Sequence, residues 1–100
     1  MTTAKGDKTT NFQSISTTST LTIQPPSGEE WSIHNIYWGG ASELYATDGT
    51  HNILVGSSTG AGGRLNNYFN CTNTQYFLLK NITAGSIYMG FDGVVTKISA

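Results

Sequence analysis

Few residues in this sequence could do covalent chemistry, and their spacing assembles none of the usual sets. His34 and His51 could each act as a general base or a metal ligand near neutral pH. Asp48 stands beside His51, but no third ligand follows at a recognisable spacing. Glu29-Glu30 is a carboxylate pair at a strand start, where neighbouring side chains point to opposite faces and cannot address one atom. Solvated turn residues account for it. Cys71 is the single cysteine, which excludes an internal disulfide and a Cys-based zinc site. No basic residue lies near it in sequence to activate the thiol, so it reads as a small buried hydrophobe. Gly60-Ala61-Gly62-Gly63 lacks the Lys-Ser/Thr and the following helix of a phosphate loop. Asn70-Cys71-Thr72 and Asn81-Ile82-Thr83 match the glycosylation acceptor pattern, but chance matches are expected in a chain this rich in Asn and Thr. The chain is therefore read as a non-enzyme, with no catalytic residue, no metal site and no cofactor.

Binding is the other chemistry to weigh. Tyr37-Trp38-Gly39-Gly40 places two aromatic rings beside two glycines. Three roles fit these rings: core packing, burial at a protein interface, or stacking on a sugar face. Tyr37, Trp38, Tyr68 and Phe91 are the residues expected to make partner contacts. A sugar platform would use Trp38 with Asn35 or His51 beside it.

The elements that must position these residues follow from composition. The chain has 100 residues and a net charge of −1, which fits one domain without disorder-promoting charge. Five basic and six acidic residues give no electrostatic footprint for nucleic acid or an anionic membrane. No apolar run approaches the ~18 residues of a membrane helix, and the first residues lack the apolar stretch of a signal peptide. Charged residues are only 11%; an ordinary soluble domain has about 25%. Ser and Thr together supply 25 residues, Gly 12 and Asn 8. Ser, Asn and Gly form helices poorly, whereas Thr, Ile, Val, Tyr and Phe suit a pleated half-buried surface. An all-β domain is expected.

Residues 1–11 are Thr-rich and hold no large apolar residue after Met1, so they read as a flexible terminus or an arm that orders on a neighbouring subunit. Residues 12–100 read as the folded domain. Phe12–Ile15 is a weak first strand, and Leu21 and Ile23 face inward from the next. Pro25-Pro26-Ser27-Gly28 is a firm boundary. The strongest strand, residues 29–38, has no simple period: Trp31 and Ile33 share one face, Ile36 and Trp38 the other. Either both faces are covered or a bulge near Asn35 shifts the phase. Asp48-Gly49 predicts a two-residue type I′ hairpin turn, and Asp92-Gly93 repeats the signal. Residues 56–63 read as a loop. Further strands follow over 64–70, 74–80, 86–91 and 94–98. Eight or nine short strands with turns about every ten residues predict an antiparallel β-sandwich, jelly-roll-like.

The segment Leu21 to Ile33, with Pro25-Pro26-Ser27-Gly28-Glu29-Glu30-Trp31 at its centre, resembles a strand–turn–strand feature of small β-sandwich proteins in the virions of tailed bacteriophages. The segments Glu43–Gly49 and Ile87–Val95 are similar to the same type, and the likeness spans about residues 20–98. It implies a capsid decoration (cement) protein or a small tail accessory protein. The implied state is a homo-oligomer, most commonly a trimer, located in the virion and bound to the major capsid protein or another virion protein. It carries over no site residues. A carbohydrate-binding module, lectin-like or receptor-binding, is the alternative.

Overall fold

A computed structural model describes residues 4–66 and 68–98. Nine antiparallel strands are present among them: β1 (Lys8–Ile15), β2 (Thr20–Ile23), β3 (Glu29–Trp38), β4 (Ser42–Thr47), β5 (Asn52–Ser58), β6 (Gly62–Arg64), β7 (Phe69–Thr72), β8 (Tyr76–Asn81) and β9 (Ile87–Ile98). They form two sheets. One runs β1-β9-β3, with β6 and β7 both paired to the far side of β3; the other runs β2-β8-β4-β5. With β6 and β7 counted as one interrupted strand, this is the wrapped order of a jelly roll. The fold is thus the expected all-β antiparallel sandwich.

The core lies between the sheets. Ile33, Ile36, Met89, Phe91 and Val95 come from the first sheet, and Leu21, Ile23, Leu44 and Leu79 from the second; all are buried. The phase problem in β3 is resolved by a bulge. The register with β9 shifts between Ile33 and Asn35, leaving His34 as the extra residue. The shift returns Ile36 and Trp38 to the side already occupied by Trp31 and Ile33, so all four face inward.

Three local readings are corrected. Asp48-Gly49 is not a two-residue turn, because Thr47 pairs with Asn52 across a four-residue loop. The Asp48 carboxylate accepts hydrogen bonds from the backbone N–H groups of Thr50 and His51, and Gly49 alone takes a left-handed φ of 92°. Asp92-Gly93 makes no turn at all: β9 runs straight through it. Glycine is there for close approach, since a Cβ on Gly93 would lie 2.2 Å from the Ser32 carbonyl oxygen. Residues 56–63 are partly strand, being shared between the end of β5 and the start of β6.

The first strand begins at Lys8, inside the segment read as an arm. Residues 8–11 pair with residues 91–94 of the same chain. The Gly6 N–H donates to the Val95 carbonyl and the Val95 N–H to that of Asp7, which prolongs the ladder. Thr-rich strands without large apolar residues still pair when they lie at a sheet edge, because the ladder needs only backbone groups. Residues 1–3 of the expected arm lie outside the described residues.

Candidate functional site

Titratable groups are scattered. The Asp48 carboxylate is held well below its usual range, first by the His51 backbone N–H and then by the His51 ring and the Thr50 N–H. His51 Nδ1 lies 3.1 Å from it on an exposed loop. His34 instead packs edge-on against Tyr68, with ring centroids 5.1 Å apart. Among the described residues no three His, Cys, Asp or Glu side chains gather where they could hold a metal. Glu29 and Glu30 diverge as their strand dictates: Glu29 accepts from Trp31 Nε1, and Glu30 pairs with Lys97. Cys71 is fully buried, and desolvation pushes its thiol up to about 12. It is therefore a protonated core side chain, not a nucleophile. Asn81 is also fully buried with its amide committed, so it is no glycan acceptor.

The four expected contact residues divide two and two. Phe91 is only 3% exposed and stacks on Trp31 between the sheets, so it is corrected from contact residue to core residue. Its place follows from the run Ile87, Met89, Phe91, whose common side is the core side. Trp38 is only partly buried. Its ring is half-buried against the core and lines a cleft of about 240 Å³ with Leu44, Leu79 and Arg64. Its Nε1 is buried without a hydrogen-bond partner. Asn35, expected beside Trp38 in a sugar platform, lies on the opposite face of β3, where it donates to Asp92. Tyr37 and Tyr68 do face outward. Tyr68 is 79% exposed, and Tyr37 donates its hydroxyl to Asp92 Oδ2 at 2.8 Å. That hydrogen bond raises the Tyr37 phenol above its ordinary value.

Two surfaces that sequence reasoning missed stand out. The first is one side of the sandwich. β5 is an edge strand, and Ile53, Leu54 and Val55 on it are 66%, 52% and 44% exposed. Across the gap between the sheets lies β6, whose Arg64 donates to the Val55 carbonyl, and Leu65 and Tyr68 follow it, both exposed. Ile53 also borders a cleft of about 320 Å³ with Phe77 and Tyr76 on its wall. Arg64 is the only Lys, Arg, Asp or Glu between residues 49 and 79. Free edges are ordinarily guarded by lysine or proline, and β5 contains neither. The opposite side, made by β1 and β2, is more polar: β2 exposes Thr20 and Thr22 and is followed by Pro25-Pro26, and β1 exposes Lys8 and Thr10 along with the single apolar Phe12. The run of exposed aliphatic side chains is thus on one flank. A signal for it was present, since three consecutive apolar residues in a strand cannot all face a core.

The second surface is the outer face of the first sheet. Phe12, Gly90, Tyr37 and Gly63 form one row across β1, β9, β3 and β6. The Phe12 and Tyr37 rings are 5.6 Å apart. Tyr88, one row along, is 75% exposed. Comparison with known proteins adds no identity: no protein-family model and no curated protein matches this chain.

Proposed function

We propose that this chain is a structural virion protein, most specifically a capsid decoration subunit. It works by sealing apolar surface against copies of itself and against the shell. The observation that carries this reading is the charge-poor flank of Ile53, Leu54, Val55 and Leu65 on and beside the edge strand β5, which contains no lysine or proline. A lone monomer gains nothing from that surface and incurs an aggregation hazard. Buried against a partner, each such side chain contributes about 1.5–3 kcal/mol, and the strand edge adds backbone hydrogen bonds. Association entropy consumes much of this, so several contacts around a symmetry axis are needed to hold the assembly. The resemblance to small phage virion sandwiches supplies the trimer, the virion location and the major capsid protein as neighbour. The balanced charge leaves nucleic acid and anionic membranes without an electrostatic foothold.

Sedimentation velocity on the full chain tests the reading. The expected species at high micromolar concentration is a discrete oligomer, a trimer of the 10.7 kDa chain. Leu54→Lys places a charge on the edge strand and is expected to give folded monomers whose melting temperature, unlike that of the wild type, does not rise with protein concentration. A wild-type chain that sediments as a monomer across the whole concentration range would overturn the proposal.

A further inference from the structure

We propose that the outer face of the first sheet binds a neutral oligosaccharide of pyranose units, stacked on Phe12 and Tyr88 and hydrogen-bonded through Asp92 and Asn35. The site is independent of the apolar flank and of the assembly reading.

The platform is built from an aromatic ring laid over a glycine. Phe12 pairs with Gly90, and a Cβ on Gly90 would lie 2.1 Å from Phe12 Cδ1. The ring therefore occupies the space that a side chain at position 90 would fill. It lies across β9 and covers Gly90, which is buried although its neighbours Met89 and Phe91 take the core side. Tyr37 bounds the ring at 5.6 Å with a tilt of 32°. The residue at position 12 is still 61% exposed. A ring supported on one side and open on the other offers a flat apolar surface at low conformational cost. Tyr88 stands diagonally from Phe12 on the same face, within the reach of side chains one row apart.

Polar groups adjoin the platform in fixed positions. Asp92 lies two residues from Gly90 on the same face. Its Oδ1 accepts from Asn35 Nδ2 at 2.7 Å and its Oδ2 from the Tyr37 hydroxyl at 2.8 Å. Each carboxylate oxygen keeps a second acceptor site. Asn35 Oδ1 in turn accepts from the Asn66 N–H, which fixes the amide and leaves its second N–H to donate. The carboxylate is thus aimed before any ligand arrives, and pre-ordering lowers the cost of binding. A shallow depression of about 440 Å³ continues from Asp92 past Thr10, Lys8 and His34. Flat aromatic surface beside aligned hydrogen-bonding groups matches a pyranose, which has an apolar C–H face and a rim of hydroxyls. Asp92 and Lys8 together give the face no net charge, so the class is neutral. A protein partner is served less well here, because the side chains are held by one another and the face offers no open backbone groups in its centre.

The test is an amide NMR titration of the isotope-labelled full chain with cellohexaose, maltohexaose, chitohexaose and mannohexaose, each taken to about 10 mM, where weak single-site binding registers. At least one of them is expected to shift the Phe12, Tyr88, Gly90 and Asp92 amides together. Tyr88→Ala removes an exposed side chain and Phe12→Ala uncovers Gly90 without touching the core between the sheets, and the amide spectrum of each variant is first checked for wild-type dispersion. Each is expected to weaken the response about tenfold. No shift with any of the four sugars would overturn the proposal, and so would shifts that survive Phe12→Ala. Shifts of the same amides on raising protein concentration without sugar would overturn it too, by assigning the face to a second copy.

Discussion

Gly93→Ala is expected to remove a large share of the protein's stability and to lower its melting temperature steeply. The added Cβ would stand 2.2 Å from the Ser32 carbonyl oxygen and 2.9 Å from Ile33 Cα. Both are backbone atoms at the centre of the first sheet, where β3 and β9 share their long register. A flexible side chain could swing away, but backbone in a paired strand cannot without opening the ladder next to the His34 bulge. The cost is placed at about 4–5 kcal/mol, the range reserved for a few severe mechanisms, against a total stability of about 5–15 kcal/mol. Gly60→Ala is the matched control, since nothing lies within 4 Å of its Cβ position. Thermal unfolding followed by circular dichroism compares the two. A Gly93→Ala chain that melts within a few degrees of wild type would show that the strands do not approach as closely as described.

Asn81→Ala carries the second large effect. The side chain is fully buried and makes four hydrogen bonds. Its Nδ2 donates to the carbonyls of Ile15 and Gly85, both at 2.8 Å. Its Oδ1 accepts from the Thr83 N–H and the Thr83 hydroxyl. The backbone of Asn81 also meets Thr18 and Ser19, so this one residue ties the β1–β2 turn to the β8–β9 turn. Alanine removes the partner of the buried Ile15 carbonyl and of groups in the β8–β9 turn. Each unsatisfied buried group costs about 1–3 kcal/mol, and a loss of about 3–4 kcal/mol is expected. Urea unfolding measures it. A midpoint shift too small to resolve would mean that water or the Thr83 hydroxyl takes over the whole network.

Strand content was legible because alternation and punctuation agreed. Leu21 and Ile23 before Pro25-Pro26 could be read from residues alone, and so could the need for a bulge in β3. The errors share one cause: a glycine has several uses, and sequence does not say which applies. Asp92-Gly93 looked like a turn, although the period Ile87, Met89, Phe91 continues through Gly93 to Val95 and marks one long strand. Gly62 and Gly63 looked like a flexible loop, yet β6 pairs them with Trp38 and Tyr37. Alternation groups Phe91 with Met89 and Ile87 by face without saying that this face meets the core. The exposed surfaces were hidden for a different reason. Phe12 sits in a Thr-rich stretch, and its place beside Tyr37 depends on β9 running between β1 and β3, a pairing across about eighty residues of chain.

The assembly through the β5 flank is tested most directly by amide hydrogen exchange at high and low protein concentration. If that edge is sealed by another copy, the amides of Asn52–Ser58 exchange slowly in the concentrated sample and quicken on dilution, while those of β1 stay unchanged. Equal exchange across β5 at both concentrations, in a sample that remains folded, would contradict the account.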